Sequence, residues 1–265
     1  MKKEELITLS LPYYDGTERT VRVFIPAHEE GEELPVIYMT DGQNLFDERP
    51  EQFGCWHTME AVRAERSLSG KAAIIVGIHN DTSPLQRTKE LTPKDIGALN
   101  FPPDMPKKMR RMMIPEGERF DDFVLNTVIP VAEARFPVKK GRAYTAFCGS
   151  SSGGLQSFFT VLSHPDRFSY AGVFSPAFMM YHTDDLDRWI CSMIKEELPN
   201  LWIYSGGEMG LEREIMSCVE TVCEVLEQVY PKSFFIKDLR AEQPHHESAW
   251  EPVFKDFLHT FLKGE

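Results

Sequence analysis

Arg142-Ala-Tyr-Thr-Ala-Phe-Cys-Gly-Ser-Ser-Ser-Gly-Gly154 reads as a strand, an abrupt turn and the start of a helix. The lead-in from Ala143 to Cys148 is apolar and β-prone, and Leu155, Phe158, Phe159 and Leu162 follow at helical spacing until His164-Pro165. The turn contains one G-x-S-x-G. Of its three consecutive serines only Ser151 has glycine both two residues before and two after, at Gly149 and Gly153. A turn of this type holds its central residue in a strained backbone conformation, and side chains at the flanking positions would collide. Ser152 would then open the helix, where its backbone N–H can face a developing oxyanion with the helix dipole behind it. On this stretch alone, the competing reading is a Ser/Gly turn that merely caps a helix.

On either side of this turn the chain alternates strand and helix patterns. Leu9 to Leu11 and Thr20 to Ile25 flank Tyr14-Asp-Gly-Thr17, which predicts an antiparallel hairpin. Pro35-Val-Ile-Tyr-Met39 and Ala72-Ala-Ile-Ile-Val-Gly-Ile78 are continuous apolar runs, as strands covered on both faces require. Further strands are expected at Tyr170 to Phe174, Leu201 to Tyr204 and Ser233 to Leu239. Helices are expected at His57 to Ser67, Phe120 to Arg135 with a kink at Pro130, Leu186 to Glu197, Leu211 to Val229 and Trp250 to Leu262. Residues 80–117 hold six prolines and the cluster Lys107-Lys-Met-Arg-Arg111, and are read as a loop or lid. The pattern implies a mostly parallel sheet with helices on both faces, begun by an antiparallel hairpin.

Composition narrows the function classes. At 265 residues the chain suits one large α/β domain, expected here to span residues 1–265. A net charge of −12 without a long basic face argues against nucleic-acid and anionic-membrane partners. The opening Met1-Lys-Lys-Glu-Glu has no apolar signal region, so a cytoplasmic protein is expected. Cys55, Cys148, Cys191, Cys218 and Cys223 are odd in number and form no C-x-x-C pair, which speaks against a disulfide framework and a structural zinc site.

In a doubly wound sheet, reactive groups gather at the carboxyl ends of the strands. Those ends carry Asp41-Gly42-Gln43, Ser151, Glu208 and His245-His246. A serine nucleophile needs an imidazole base, and the base needs a carboxylate to fix its tautomer. Ser151, Glu208 and one of the two histidines supply these roles in the chain order Ser, acid, His. Asp184, Asp185 and Asp187 are competing carboxylates, but Glu208 follows the penultimate strand. His245-His246-Glu247 has no H-E-x-x-H spacing, so no metal is expected.

Val36-Ile-Tyr-Met-Thr-Asp-Gly-Gln-Asn-Leu-Phe-Asp47, Arg87-Thr-Lys-Glu-Leu-Thr-Pro93, Gly149-Ser-Ser-Ser-Gly-Gly154, His164-Pro-Asp-Arg-Phe168, Ser175-Pro-Ala-Phe178 and His245-His-Glu-Ser-Ala-Trp250 together resemble the putative-esterase family of α/β-hydrolases. Esterase D-like enzymes, enterochelin esterases and feruloyl or acetylxylan esterases are members of that family. The resemblance runs from about Pro35 to Leu262 and implies the α/β-hydrolase fold and a Ser-acid-His serine esterase that needs no cofactor. Its closing motif, His-Asn-Glu-x-x-Trp with the catalytic histidine first, implies that His245 is the base. The family's acid lies in a Gly-x-x-Glu or Gly-x-x-Asp turn, which implies Glu208, although Ser205-Gly-Gly-Glu208 departs from the commoner Asp-x-Gly-x-x-Glu. The Gln43 amide is the implied second oxyanion donor beside that of Ser152.

The expected substrate is a small-molecule ester, with Asp41, Trp56, Arg87, Phe178 and Tyr181 as candidate pocket residues. Acyl transfer on the same residues and a non-catalytic binding role are the alternatives. Lys107, Lys108, Arg110 and Arg111, interleaved with Met105, Met109, Met112 and Met113, read either as a solvated turn or as a lid that attracts an anionic ester.

Overall fold

The computed structural model describes residues 1–47, 54–81 and 83–264. β1 (Glu5–Pro12) and β2 (Glu18–Ile25) form the hairpin, with Glu5 opposite Ile25 and Pro12 opposite Glu18. Its turn is closed by Tyr13 N–H donating to Thr17 O, and Asp15 Oδ1 accepts from both the amide and the hydroxyl of Thr17. β3 (Val36–Met39), α1 (Thr58–Ser69) and β4 (Ile74–Ile78) follow. After β4 come α2 (Pro84–Glu90), α3 (Lys107–Met112), α4 (Gly117–Phe123) and α5 (Ile129–Arg135). The remainder is β5 (Thr145–Ser150), α6 (Ser152–Ser163), β6 (Tyr170–Phe174), α7 (Thr183–Met193), β7 (Asn200–Gly206), α8 (Leu211–Val229), β8 (Phe235–Arg240) and α9 (Glu247–Lys263).

Among the described residues, eight strands join one sheet in the order β1-β2-β4-β3-β5-β6-β7-β8, antiparallel as far as β2 against β4 and parallel from there on. This is the α/β-hydrolase fold. Successive strand residues face opposite sides, and the core divides accordingly. Val36 and Tyr38 belong to the buried cluster on the face covered by α6 and α8, whereas Ile37 and Met39 belong to the cluster on the face covered by α1 and α9. The second face is strongly aromatic: Trp56, Phe174, Phe254, Phe257 and Trp250 form one contiguous set.

Two expectations change. Residues 80–117 contain the helices α2 and α3 and are pinned to the body at several points. Arg19 and Glu90 make a buried ion pair at 2.9 Å, Glu118 Oε1 accepts from the Lys94 amide at 2.8 Å, and Asn100 N–H donates to Met180 O at 2.8 Å. Burial pushes the Glu90 carboxyl above the usual carboxylate range, against the pull of Arg19. The helix around Pro130 is interrupted one turn earlier than expected. Residues Val124–Val128 form a π-helical segment, and the helical backbone runs on from it through Pro130, the second residue of α5.

Candidate active site

The carboxyl ends of β3, β5, β6, β7 and β8 lie side by side in the sheet, and the site is assembled along that edge. Ser151 stands between β5 and α6 with φ 59 and ψ −125, a conformation that non-glycine residues rarely adopt. It is held there by its own backbone: its N–H donates to Phe174 O at 2.9 Å, and its carbonyl accepts from Leu155 at 3.0 Å and Ala177 at 3.1 Å. A methyl group on Gly149 or Gly153 would run into the Thr40 hydroxyl, so the G-x-S-x-G pattern is a packing requirement as well as a turn. The hydroxyl of Ser151 makes no hydrogen bond to any described residue, His245 included. Ser152 opens α6, so its N–H is one of the first-turn amides without an intrahelical acceptor.

His245 follows β8 in a loop that hangs on the β7 loop, with the Gly207 and Glu208 amides donating to Gln243 O at 3.1 and 3.2 Å. The close approach needs Gly206, where any side chain would strike the Gln243 carbonyl. The carboxylate that meets His245 is Glu212, with Oε2 at 2.5 Å from Nδ1. Glu212 is 2% exposed on the first turn of α8, near the positive end of the helix dipole. Its Oε1 accepts from Ser175 Oγ and from the Gly206 amide, each at 2.6 Å. With a carboxylate on Nδ1, that nitrogen carries the proton and donates, leaving Nε2 as the acceptor.

Glu208, the acid expected from the sequence, is exposed, and its side chain has no hydrogen bond or ion pair among the described residues. The turn that carries it ends four residues before the carboxylate that His245 reaches. The signal was present in α8, where Glu212 lies on the stripe formed by Ile215, Met216, Val219, Val222, Cys223 and Leu226. A carboxylate on a buried apolar stripe needs partners. His246 is exposed and caps α9, with Nδ1 accepting from the Ser248 amide at 3.1 Å.

The Asp41-Gly42-Gln43 stretch forms a tight turn, Gly42–Asn44, entered through Asp41 in the left-handed region at φ 53. Arg87 of α2 grips Asp41 with both arms of its guanidinium, Nε to Oδ1 at 2.6 Å and Nη2 to Oδ2 at 2.8 Å. Burial works against the Arg87 charge, but the Asp41 carboxylate outweighs it and the net shift is upward. Asn80, at the end of β4, donates to Asp41 Oδ1 and accepts from the Gln43 side chain. Asp41 and Arg87 therefore brace this turn.

Trp56, Phe178 and Tyr181, the other expected pocket residues, are each 2% exposed. Trp56 stacks on Phe174, Phe178 meets Phe158 edge to face, and the Tyr181 hydroxyl donates to Pro93 O. They are core and tether residues, with no surface left to line a pocket. In α3, Lys107, Lys108 and Arg111 are exposed beside Met109 and Met112, whereas Arg110 is turned back onto the carbonyls of Pro102, Pro103 and Met105.

Among known proteins, the chain is 22% identical to the uncharacterized protein YbbA of Bacillus subtilis over 217 residues, which is 77% of this chain and 74% of YbbA. Its structure is similar to that of an IroE-like serine hydrolase from Shewanella oneidensis, with a TM-score of 0.76 at 16% identity over 98% of this chain and 80% of that one. It is also similar to the siderophore hydrolase EstA from Aspergillus nidulans, with a TM-score of 0.73 at 17% identity over 97% and 94% of the two chains. At these identities the structures establish the fold. The model of the Putative esterase family matches residues 14–205, and the chain belongs to that family.

Proposed function

We propose that this carboxylic ester hydrolase works through Ser151, His245 and Glu212. Nε2 of His245 takes the Ser151 proton as Oγ attacks the ester carbonyl, and Glu212 stabilises the imidazolium that results. The Gln43 and Ser152 amides hold the tetrahedral oxyanion. Its collapse expels the alcohol with the proton from Nε2 and leaves an acyl group on Ser151. Water, deprotonated by the same nitrogen, then releases the acid. The observation that carries this reading is the pairing of half-buried His245 with buried Glu212, at the same end of the sheet as a serine held at positive φ.

The substrate class we propose is an ester with an anionic acyl group. The exposed cations Lys107, Lys108 and Arg111 support it, standing on a chain of net charge −12.

Ser151→Ala should abolish hydrolysis of short p-nitrophenyl esters, and a fluorophosphonate probe should label the native protein at Ser151 alone. Labelling elsewhere, or full activity in the variant, would discard the assignment. For the substrate class, kcat/KM for anionic esters should exceed that for neutral ones and fall with salt. Equal values at both ionic strengths would discard the anionic preference. Product analysis with added alcohols separates hydrolysis from acyl transfer.

A further inference from the structure

Ser175 stands directly after β6 with φ 41, a left-handed conformation in which a serine is strained and a glycine would not be. It is fully buried. Its N–H donates to Tyr204 O at 2.7 Å, which locks the residue between β6 and β7. Its hydroxyl makes two hydrogen bonds: it donates to Glu212 Oε1 at 2.6 Å and accepts from Trp250 Nε1 at 3.0 Å. An indole nitrogen is a donor only, so the Trp250 bond occupies a lone pair of the hydroxyl and leaves its single proton for Glu212. The same indole stands edge to face with the His245 ring, with centroids 5.1 Å apart. Trp250 thus touches both partners of the pair: the imidazole through its ring, and the carboxylate through the Ser175 hydroxyl.

We infer that Ser175 and Trp250 are positioning residues for the Glu212–His245 pair, an inference that rests on the reading proposed above. The chain of donors runs from Trp250 N–H to Ser175 O–H to Glu212 Oε1, and it turns the second oxygen, Oε2, onto His245 Nδ1. The Gly206 amide supplies a third donor to the carboxylate, at 2.6 Å to Oε1. The strain at Ser175 has a reason in this arrangement: glycine would relieve the backbone but has no hydroxyl to place between indole and carboxylate. Donors to Glu212 stabilise the state in which the pair bears a negative charge and His245 is neutral, so losing one makes the pair hold a proton more tightly.

The test uses Ser175→Gly, which suits the left-handed backbone, together with Ser175→Ala and Trp250→Phe, which keeps an aromatic ring but loses the indole N–H. The first readout is independent of turnover. In an imidazole NMR titration, with His245 assigned from its loss in His245→Asn, Ser175→Gly should titrate at higher pH than the native protein. The second is kinetic: kcat on p-nitrophenyl acetate should fall roughly 10-fold or more in Ser175→Gly, as expected for a lost bond to a charged group, with KM little changed. The acid limb of the kcat/KM profile should move to higher pH, and Trp250→Phe should show the same direction with smaller size. An unchanged His245 titration and an unchanged kcat in Ser175→Gly would reduce the hydroxyl to a packing group and overturn the inference. If the native protein hydrolyses no ester while the His245 titration still moves, the positioning stands and the proposed reaction falls.

Discussion

Glu212 Oε2 and His245 Nδ1 meet at 2.5 Å between the first turn of α8 and the loop that follows β8, with the carboxylate sealed from solvent and its other oxygen bonded to Ser175 and the Gly206 amide. The imidazole orientation therefore depends on one residue of α8. Glu212→Gln replaces an acceptor with a group that can present an N–H to Nδ1 and favour the wrong tautomer. Turnover of p-nitrophenyl acetate should fall by about 10³ to 10⁴-fold, in kcat more than in KM. Glu208→Gln, on an exposed side chain, should stay within about 2-fold of the native enzyme. The opposite ranking of the two variants would return the acid to the turn and refute the Glu212 assignment.

Arg87 is the next residue whose removal should be felt at a distance. Its two bonds to Asp41 brace the turn that carries the Gln43 amide, and they tie α2 to that turn. Arg87→Lys keeps the charge but loses the fork that matches a carboxylate. We expect kcat to drop on the order of 10-fold while fluorophosphonate still labels Ser151, because elbow and base are untouched. Loss of labelling together with loss of folding would mean that the pair is a general stability element.

The fold was legible because period and punctuation agree along most of the chain. The continuous apolar runs at Val36–Met39 and Ile74–Ile78 are doubly covered strands, and glycine at both flanks of Ser151 is what Thr40 leaves room for. The carboxylate that meets His245 was less legible. The sequence carries a Gly-rich turn with a glutamate in it, and only the helical phase of α8 shows that Glu212 faces inward while Glu208 faces water. Trp56, Phe178 and Tyr181 mark the same limit from the other side. An aromatic residue near a strand end has the same sequence signature whether it lines a pocket or fills the core beneath it. The prolines of residues 80–117 suggest a loop, yet Pro84 serves as the first helical residue of α2, where its missing N–H costs little.

The cysteines should separate by burial. Cys148 lies in β5 with no exposed surface, and burial pushes its thiol well above the ordinary range. Burial also raises the Cys223 thiol to about 12, whereas Cys191 is exposed on α7. Ellman's reagent at pH 8 should therefore find a fast thiol that disappears in Cys191→Ser, with Cys148 and Cys223 reacting only after denaturant is added. Fast labelling of Cys148 would mean that the strand below the elbow opens readily.

Asp121 of α4 offers a test of stability against pH. It is fully buried beneath α6, where its Oδ1 accepts from Gln156 Nε2 at 2.8 Å and from the Thr160 hydroxyl. Its Oδ2 has no hydrogen bond and faces His164 Nε2 at 3.4 Å. Burial is the dominant influence and raises the carboxyl above its ordinary value, with His164, Thr160 and Gln156 pulling the other way. A carboxyl raised in the folded state contributes its full stability below the unfolded value near 3.8–3.9, and that contribution is lost as pH rises through the folded value. Above it, the folded protein holds a buried anion with one oxygen unbonded. Asp121→Asn keeps the shape and the Oδ1 acceptor while removing the charge. Its Tm at pH 8 should exceed that of the native protein by a few degrees, as roughly 1 kcal/mol gives for a chain of this size. The difference should shrink as pH is lowered through the acidic range, because Asp121 itself becomes neutral. A variant less stable than the native protein at pH 8 would show that the ionised carboxylate and His164 form a net stabilising pair.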